Sequence, residues 1–356
     1  MPPFLQFVIR RFMAVPVTLM IVTMLLYGGV MLTPPESRAT LYIPERLKPR
    51  TEEQFLRYQE MIIQRYHLRD PYLVQYGYWV RSLLEGTWGY SPTLNEEVLP
   101  ALLRRTPVTM ELAIYSLLFL VPLGLVSGVV AGWKRSSPFD RIFRGLAFLG
   151  TSTPSFILAL VLISGFYINL GWFAPDRMSA NFRSELSGDA FNQITGLITV
   201  DSLLNGRPDI FLDAWRHLAM PVFTLSLYHW ATLGRIARAS MIQERSKEYV
   251  LSARARGLAE RQVIWRHIFR NMLSPSLTSI ALSAASIVTG VLVAEIIFNF
   301  KGVSQVIVSA TSGVPDAPAA LGFAVYSVLL VLILMFILDV LQAALDPRIR
   351  EGVLKS

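Results

Sequence analysis

The 356-residue chain has no cysteine, which rules out both structural disulfides and thiolate chemistry. Histidine is nearly as scarce. His67, His217, His229 and His267 stand apart, without metal-ligand spacing, and there is no His-Glu-x-x-His. A Gly-x-x-x-x-Gly-Lys-Ser/Thr phosphate loop is also missing; residues 128–134 only graze that pattern inside an apolar stretch. The chain is therefore not expected to hydrolyse ATP. Ser164-Gly165 lacks a Gly-x-Ser-Gly context, so intramembrane serine proteolysis is set aside. Charge is sparse as well, at 16% of residues against 53% hydrophobic, an apolar balance for a soluble globule. The net charge of +8 does not gather into one groove-sized cluster, so no nucleic-acid partner is expected.

The chain does contain long apolar runs, at 12–32, 108–133, 145–173, 218–233, 277–300 and 319–341. These predict an all-α polytopic membrane protein of about six transmembrane helices. Arg10 and Arg11 precede the first run, which is longer than a signal-peptide core and has no small-x-small cleavage site after it. It is expected to stay as a transmembrane helix. Glycines 124, 128 and 132 stand four apart in the second run. They suit either a close helix contact or simple tolerance of glycine in a membrane helix. Thr151-Ser152-Thr153-Pro154 interrupts the third run and should kink or break it, with hydroxyls satisfying freed backbone groups. Pro154 could be a gating hinge or an ordinary kink. Lys and Arg are about twofold denser in the segments this topology assigns to the cytoplasm, which places both termini there.

Two stretches are expected outside. In 34–107, Thr51-Glu52-Glu53-Gln54 predicts a capping box, with Phe55, Tyr58, Ile62 and Tyr66 as an apolar stripe. Asp70-Pro71 predicts a second helix start, with Leu73, Tyr76, Val80 and Leu84 on one face and Glu85-Gly86 as its end. Residues 174–216 carry more acids than bases and show no strong period. Ser279, Ser283, Ser286 and Gly290 line one face of the fifth run, fit for close packing or for a wet pathway wall. Glu295, near that run's outer end, suits headgroup contact or a gate.

The most informative stretch is 248–275, a basic segment between two apolar runs. Ser252-Ala253-Arg254-Ala255-Arg256 reads as a short helix stopped at Gly257. A second helix follows from Ala259, with Ile264, Ile268 and Met272 on one face. Composition alone would allow a basic hairpin on anionic headgroups. The residue order, however, resembles the cytoplasmic coupling loop of binding-protein-dependent ABC importer permeases of the oligopeptide/dipeptide/nickel branch. Tyr249 to Leu258 match that branch's Tyr-Val-x-x-Ala-Arg-Ala-x-Gly-Leu, although Leu251-Ser252-Ala253 departs from the broader Glu-Ala-Ala triplet. Further along, Arg270-Asn271 replaces a Pro-Asn ahead of Pro275.

Other positions carry the same resemblance. Arg105, Pro107, Thr109, Glu111 and Leu112 fit an Arg-x-Pro-x-Thr-x-Glu-Leu pattern. Thr153-Pro154-Ser155-Phe156, Glu295 with Phe298, and Asp346-Pro347-Arg348-Ile349-Arg350 fit three more. Gly86 to Ser91 matches with departures at Thr87 and Trp88, and the segment after Phe300 departs in its first and last positions.

The resemblance implies a type I ABC importer permease fold in a bacterial or archaeal cytoplasmic (inner) membrane. It divides the chain into an N-terminal helix at 1–33, an external segment at 34–107, a permease domain at 108–345 and a cytoplasmic tail at 346–356. Within the permease domain fall the coupling loop at 238–275 and an external insertion at 174–216. Expected partners are a second homologous permease chain, two ATPase subunits that carry the ATP and Mg, an external solute-binding protein, and the bilayer. Ser252, Ala253, Arg254, Ala255, Arg256, Gly257 and Leu258 would meet an ATPase subunit, with Arg254 and Arg256 reaching its acceptors. Pro154, Ser283, Ser286 and Glu295 are candidates for gate or pathway. A gradient-driven secondary transporter would call for mid-membrane acids or histidines, whereas Glu111, Glu295 and Asp339 lie towards span ends. A membrane scaffold that binds a cytosolic partner through the same loop is the other alternative.

Overall fold

The computed structural model describes residues 3–40, 51–186, 191–312 and 316–345. Its helices are α1 (Pro3–Met31), α2 (Pro35–Thr40), α3 (Glu52–Arg65), α4 (Tyr72–Leu84), α5 (Val98–Trp133), α6 (Pro138–Ser152), α7 (Ser155–Leu162) and α8 (Ala180–Leu186). They continue with α9 (Ile198–Leu204), α10 (Pro208–Arg245), α11 (Glu248–Ala255), α12 (Glu260–Gln262), α13 (Phe269–Ile297), α14 (Ser304–Thr311) and α15 (Ala317–Leu345). A π-helical turn at Ile163–Asn169 prolongs α7, and another at Val263–Ile268 joins α12 to α13. The strands among the described residues are one antiparallel pair, β1 (Tyr90–Ser91) and β2 (Glu96–Glu97).

The all-helical membrane architecture holds. Among the described residues four helices are long and apolar enough to cross a bilayer: Phe4–Met31, Val98–Trp133, Glu260–Ile297 and Ala317–Ala344. The bent pair Pro138–Ser152 and Ser155–Asn169, turned by 104°, makes a fifth. The run at 218–233 lies inside α10 but falls outside that set. Tyr228, His229 and Thr232 dilute it, and a helix enclosed by protein does not need a fully apolar surface. Three predicted boundaries also move. The second span starts at Val98 rather than 108, the fourth helix starts at Pro208, and α12–α13 runs through Pro275 without a break. The Asp346–Arg350 motif lies outside the described residues.

Two compact units can be distinguished, the first built mainly from Pro107–Gly302 and the second from Arg10–Thr106 with Val303–Leu332. In the first, α10 packs against α13, α6, α9 and α7. The glycine spacing proves to be a close contact. A Cβ on Gly128 would collide with the Gly234 carbonyl oxygen and come within 2.8 Å of the Ala237 Cβ. One on Gly132 would lie 2.7 Å from the Arg238 carbonyl oxygen, and one on Gly124 3.0 Å from Leu233. Ser137 caps α6 by accepting from the Asp140 amide, and Pro138 follows it in the first turn. At the α6–α7 bend the backbone is extended at Thr153 and Pro154 starts the next helix. Thr151 Oγ1 donates to the Ala147 carbonyl at 3.0 Å, as expected for a hydroxyl near a broken helix.

In the second unit, Tyr27 of α1 meets Tyr72, Tyr76 and Trp79 of α4 at ring separations of 5.0–6.2 Å. The apolar face predicted for α4 is therefore displaced, since Leu73 and Leu84 are 67% and 84% exposed. Two predicted caps change as well. Thr51 occupies the N-cap of α3 but its side chain makes no capping bond, and α4 is capped from Pro71 rather than Asp70. Tyr66, assigned to the α3 stripe, is exposed, while Ile62 is buried. The β1–β2 hairpin is tied down by Asp316, which accepts from Ser91 Oγ and from Thr93 Oγ1.

Candidate functional site: the basic turn and its anchors

The basic turn is a closed helix end. Leu258 N–H donates to the Ala253 carbonyl and Gly257 N–H to the Arg254 carbonyl. Gly257 sits at φ +77°. This is the Schellman pattern, which requires a left-handed residue just past the helix. A Cβ on Gly257 would meet nothing within 4 Å. Glycine is thus needed here for backbone conformation alone, and the space beyond it is open.

The inner face of the turn is fixed to the first unit's core. Val250 and Ala253 are buried, and Tyr249 and Leu258 pack on the same cluster. The Tyr249 hydroxyl donates to Glu244 Oε2 at 2.7 Å. Burial, with the neighbouring Glu244 charge, pushes its pKa above the ordinary 10.0 despite an opposing bond with Asn271. The phenol therefore stays a donor throughout the physiological range.

Trp133, the last residue of α5, receives two arginines. Arg245 lies 4.8 Å from its ring centroid and donates to its carbonyl at 2.8 Å, while Arg254 lies 5.2 Å from the same ring. Arg254 is also 3.1 Å from Glu260 Oε1. The structure therefore occupies Arg254 within the chain, as a brace between α11, α5 and α12. Arg256 points elsewhere: it is exposed and makes no ion pair among the described residues. Leu251, Ser252, Ala255 and Gly257 share that exposure. Beside them a shallow depression is lined by Arg261, Gln262, Trp265 and Arg266.

The candidate gate residues do not form one cluster. Pro154 and Ser286 are exposed, whereas Ser283 and Glu295 are buried. Along α13 the latter two are separated by about 18 Å at 1.5 Å per residue. Headgroup contact for Glu295 is overturned, because the side chain is 2% exposed and accepts from Thr109 Oγ1. A Cβ on Gly302 would run into the Glu295 carboxylate, so the departing segment closes over it.

Sequence reasoning missed two polar nodes. Glu111, 1% exposed, accepts from Arg177 at 2.7 Å, from the Thr199 amide at 2.9 Å and from Thr199 Oγ1 at 2.7 Å. Asp140, also 1% exposed, accepts from Arg238 Nε and, at 3.0 Å, from Arg238 Nη2. Glu111 could have been found, because its motif was recognised. Asp140 could not, because its partner lies on a distant helix.

The basic turn, closed by Gly257, is thus carried on a bundle of helices of which several are long and apolar enough to cross a membrane. The chain belongs to the family described as binding-protein-dependent transport system inner membrane component, which matches residues 121–351. It is 32% identical over 347 residues to the di/tripeptide transport system permease protein DppB of Pseudomonas aeruginosa, covering 98% of this chain and 99% of the relative. It is 30% identical over 345 residues to the oligopeptide transport system permease protein AppB of Bacillus subtilis, covering 96% and 98%. A dipeptide permease protein DppB of Alkalihalophilus pseudofirmus is 30% identical over 287 residues, covering 81% of this chain and 84% of the relative. The chain is thus a permease component of such a transport system.

Proposed function

We propose that the chain pairs with a second permease of its family to form the path by which di- or tripeptides, or short oligopeptides, enter the cell. An external solute-binding protein delivers the cargo, and two ATPase subunits holding ATP and Mg supply the work. Both termini lie in the cytoplasm. The observation that carries this reading is the turn at Ser252–Gly257, with its inner face locked to the core and its outer face bare. A rigid, exposed knob of this kind suits transmission of movement from a foreign subunit by a two-state, rigid-body change. Leu251, Ser252, Ala255 and Arg256 form the contact face, Gly257 and Leu258 close it, and Ala253 and Arg254 hold it in place. The buried acids do not favour a gradient-driven relay, since Glu111 and Glu295 are already committed to Arg177, Thr199 and Thr109.

The test is transport in vesicles carrying the assembled system. Gly257→Asp should abolish ATP-dependent peptide uptake at least tenfold while the chain still inserts and the ATPase still turns over. Uptake at the unaltered rate would refute the assignment of the turn. A second expectation separates the two arginines. Arg256→Glu should weaken co-purification of the ATPase subunits, whereas Arg254→Gln should lower the thermal stability of the permease and leave co-purification largely intact. Equal effects on both readouts would count against the division of roles.

A further inference from the structure

The second unit contains a cavity of about 370 Å³ that the transport reading leaves unused. It lies where α1, α4 and the start of α15 meet, and Tyr27, Tyr78, Trp79 and Trp88 supply much of its wall. One charged residue lines it, Arg38, and no carboxylate does. Arg38 is 4% exposed. Its Nη1 donates to Gln75 Oε1 at 2.8 Å and to Met31 Sδ at 3.1 Å, and its Nη2 donates to the Leu68 carbonyl at 2.7 Å. These are all neutral acceptors. The Nε–H is buried with no acceptor, and Arg38 makes no ion pair among the described residues.

Glu36 is near enough for its charge to be felt but makes no direct contact, and a buried guanidinium held only by neutral acceptors is costly. The amide, aliphatic hydroxyl and indole groups around the cavity are already satisfied. Gln75 donates to the Leu68 and Asp70 carbonyls, Ser82 to that of Trp79, Thr87 to that of Ser82, and Trp88 to that of Leu83. The unsatisfied element is a positive charge in an aromatic chamber of the size that takes small ligands. Its chemistry calls for an oxyanion that carries an apolar portion.

We propose that this cavity holds the phosphate headgroup of an anionic phospholipid. Tyr27 and Val30 stand at the end of the Phe4–Met31 span, the level at which tyrosine and tryptophan gather in membrane proteins. On α1, Met13 and Met20 stand at seven-residue spacing on the Tyr27 face, are 59% and 53% exposed, and offer a track for acyl chains. Arginine suits the role because its planar fork binds phosphate oxygens at two points. An acidic peptide would match the charge but has no use for the apolar track.

The experiment uses the full chain purified in neutral detergent, with retained lipid read by native mass spectrometry. The probes are phosphatidylglycerol, phosphatidylcholine, soluble glycerol phosphate and an acidic tripeptide. The wild-type chain should retain phosphatidylglycerol at least tenfold over phosphatidylcholine, and Arg38→Gln should erase that preference. Because Arg38 also ties Gln75 to Leu68, a second variant is needed. Leu321→Trp fills the cavity from α15 while leaving the bonds of Arg38 in place, and it should erase the preference equally. Wild-type retention in Leu321→Trp would overturn the proposal. So would displacement of the lipid by glycerol phosphate or by the tripeptide at equal concentration, which would name a free anion or a peptide as the occupant.

Discussion

Gly128→Leu is expected to abolish recovery of the folded chain. A Cβ at this position already collides with the Gly234 carbonyl and sits 2.8 Å from the Ala237 Cβ. Overpacking against movable side chains costs about 1–3 kcal/mol. Here the obstacle is backbone on α10, so relief requires separating two helices along their whole glycine seam. Without water to drive association between membrane helices, that close approach is much of what holds the pair together. The measurement is the monodisperse fraction in detergent after mild heating, with Gly145→Ala as the control, since a Cβ there meets nothing within 4 Å. A Gly128→Leu chain that elutes and melts like the wild type would show that α5 and α10 do not pack as described.

Glu111→Leu should be nearly as damaging, by a different route. The carboxylate satisfies Arg177, the Thr199 amide and the Thr199 hydroxyl, and is 1% exposed. Removing one member of a buried charged pair costs about 3–5 kcal/mol, and the figure here lies towards the lower end because the partner left uncompensated, Arg177, is 21% exposed. Arg177 also donates to the Gly196 carbonyl at 2.8 Å, so the loop that precedes α9 should loosen first. Limited proteolysis should cut within 191–197 far faster in the variant than in the wild type. Glu111→Gln, which keeps an acceptor for Thr199, should fall between the two. Unchanged cleavage in Glu111→Leu would rule out this node as the clasp of the segment that precedes α9.

These two cases show what could be read from the sequence. The glycines declared themselves by a spacing of four on one helix face, yet two uses were open until Gly234 was seen opposite them. The proline break declared itself fully, because a missing N–H and a ring clash act locally. Gly257 was legible for the same reason: a helix stop is written in adjacent residues. Pairings across the fold were not. Thr109 and Glu111 stood out as a motif, but nothing in the spacing said that one would meet Glu295 and the other Arg177. Arg254 looked like an outward hand and is turned against Trp133 instead. The π-helical turns left no mark at all, since a shift in hydrogen-bond register changes neither composition nor apolar count.

One continuous helical rod, Glu260–Ile297, has the residue paired with Arg254 at its first position and the Thr109-bound Glu295 near its last. At 1.5 Å per residue it is about 57 Å long, and no loop interrupts it to absorb a push. Force applied at the Glu260 end of such a rod arrives at the Glu295 end as tilt or twist rather than being lost on the way. The fold therefore needs no relay of side chains to carry movement from the Arg254 contact to the Thr109 contact. A single stiff member already spans the distance.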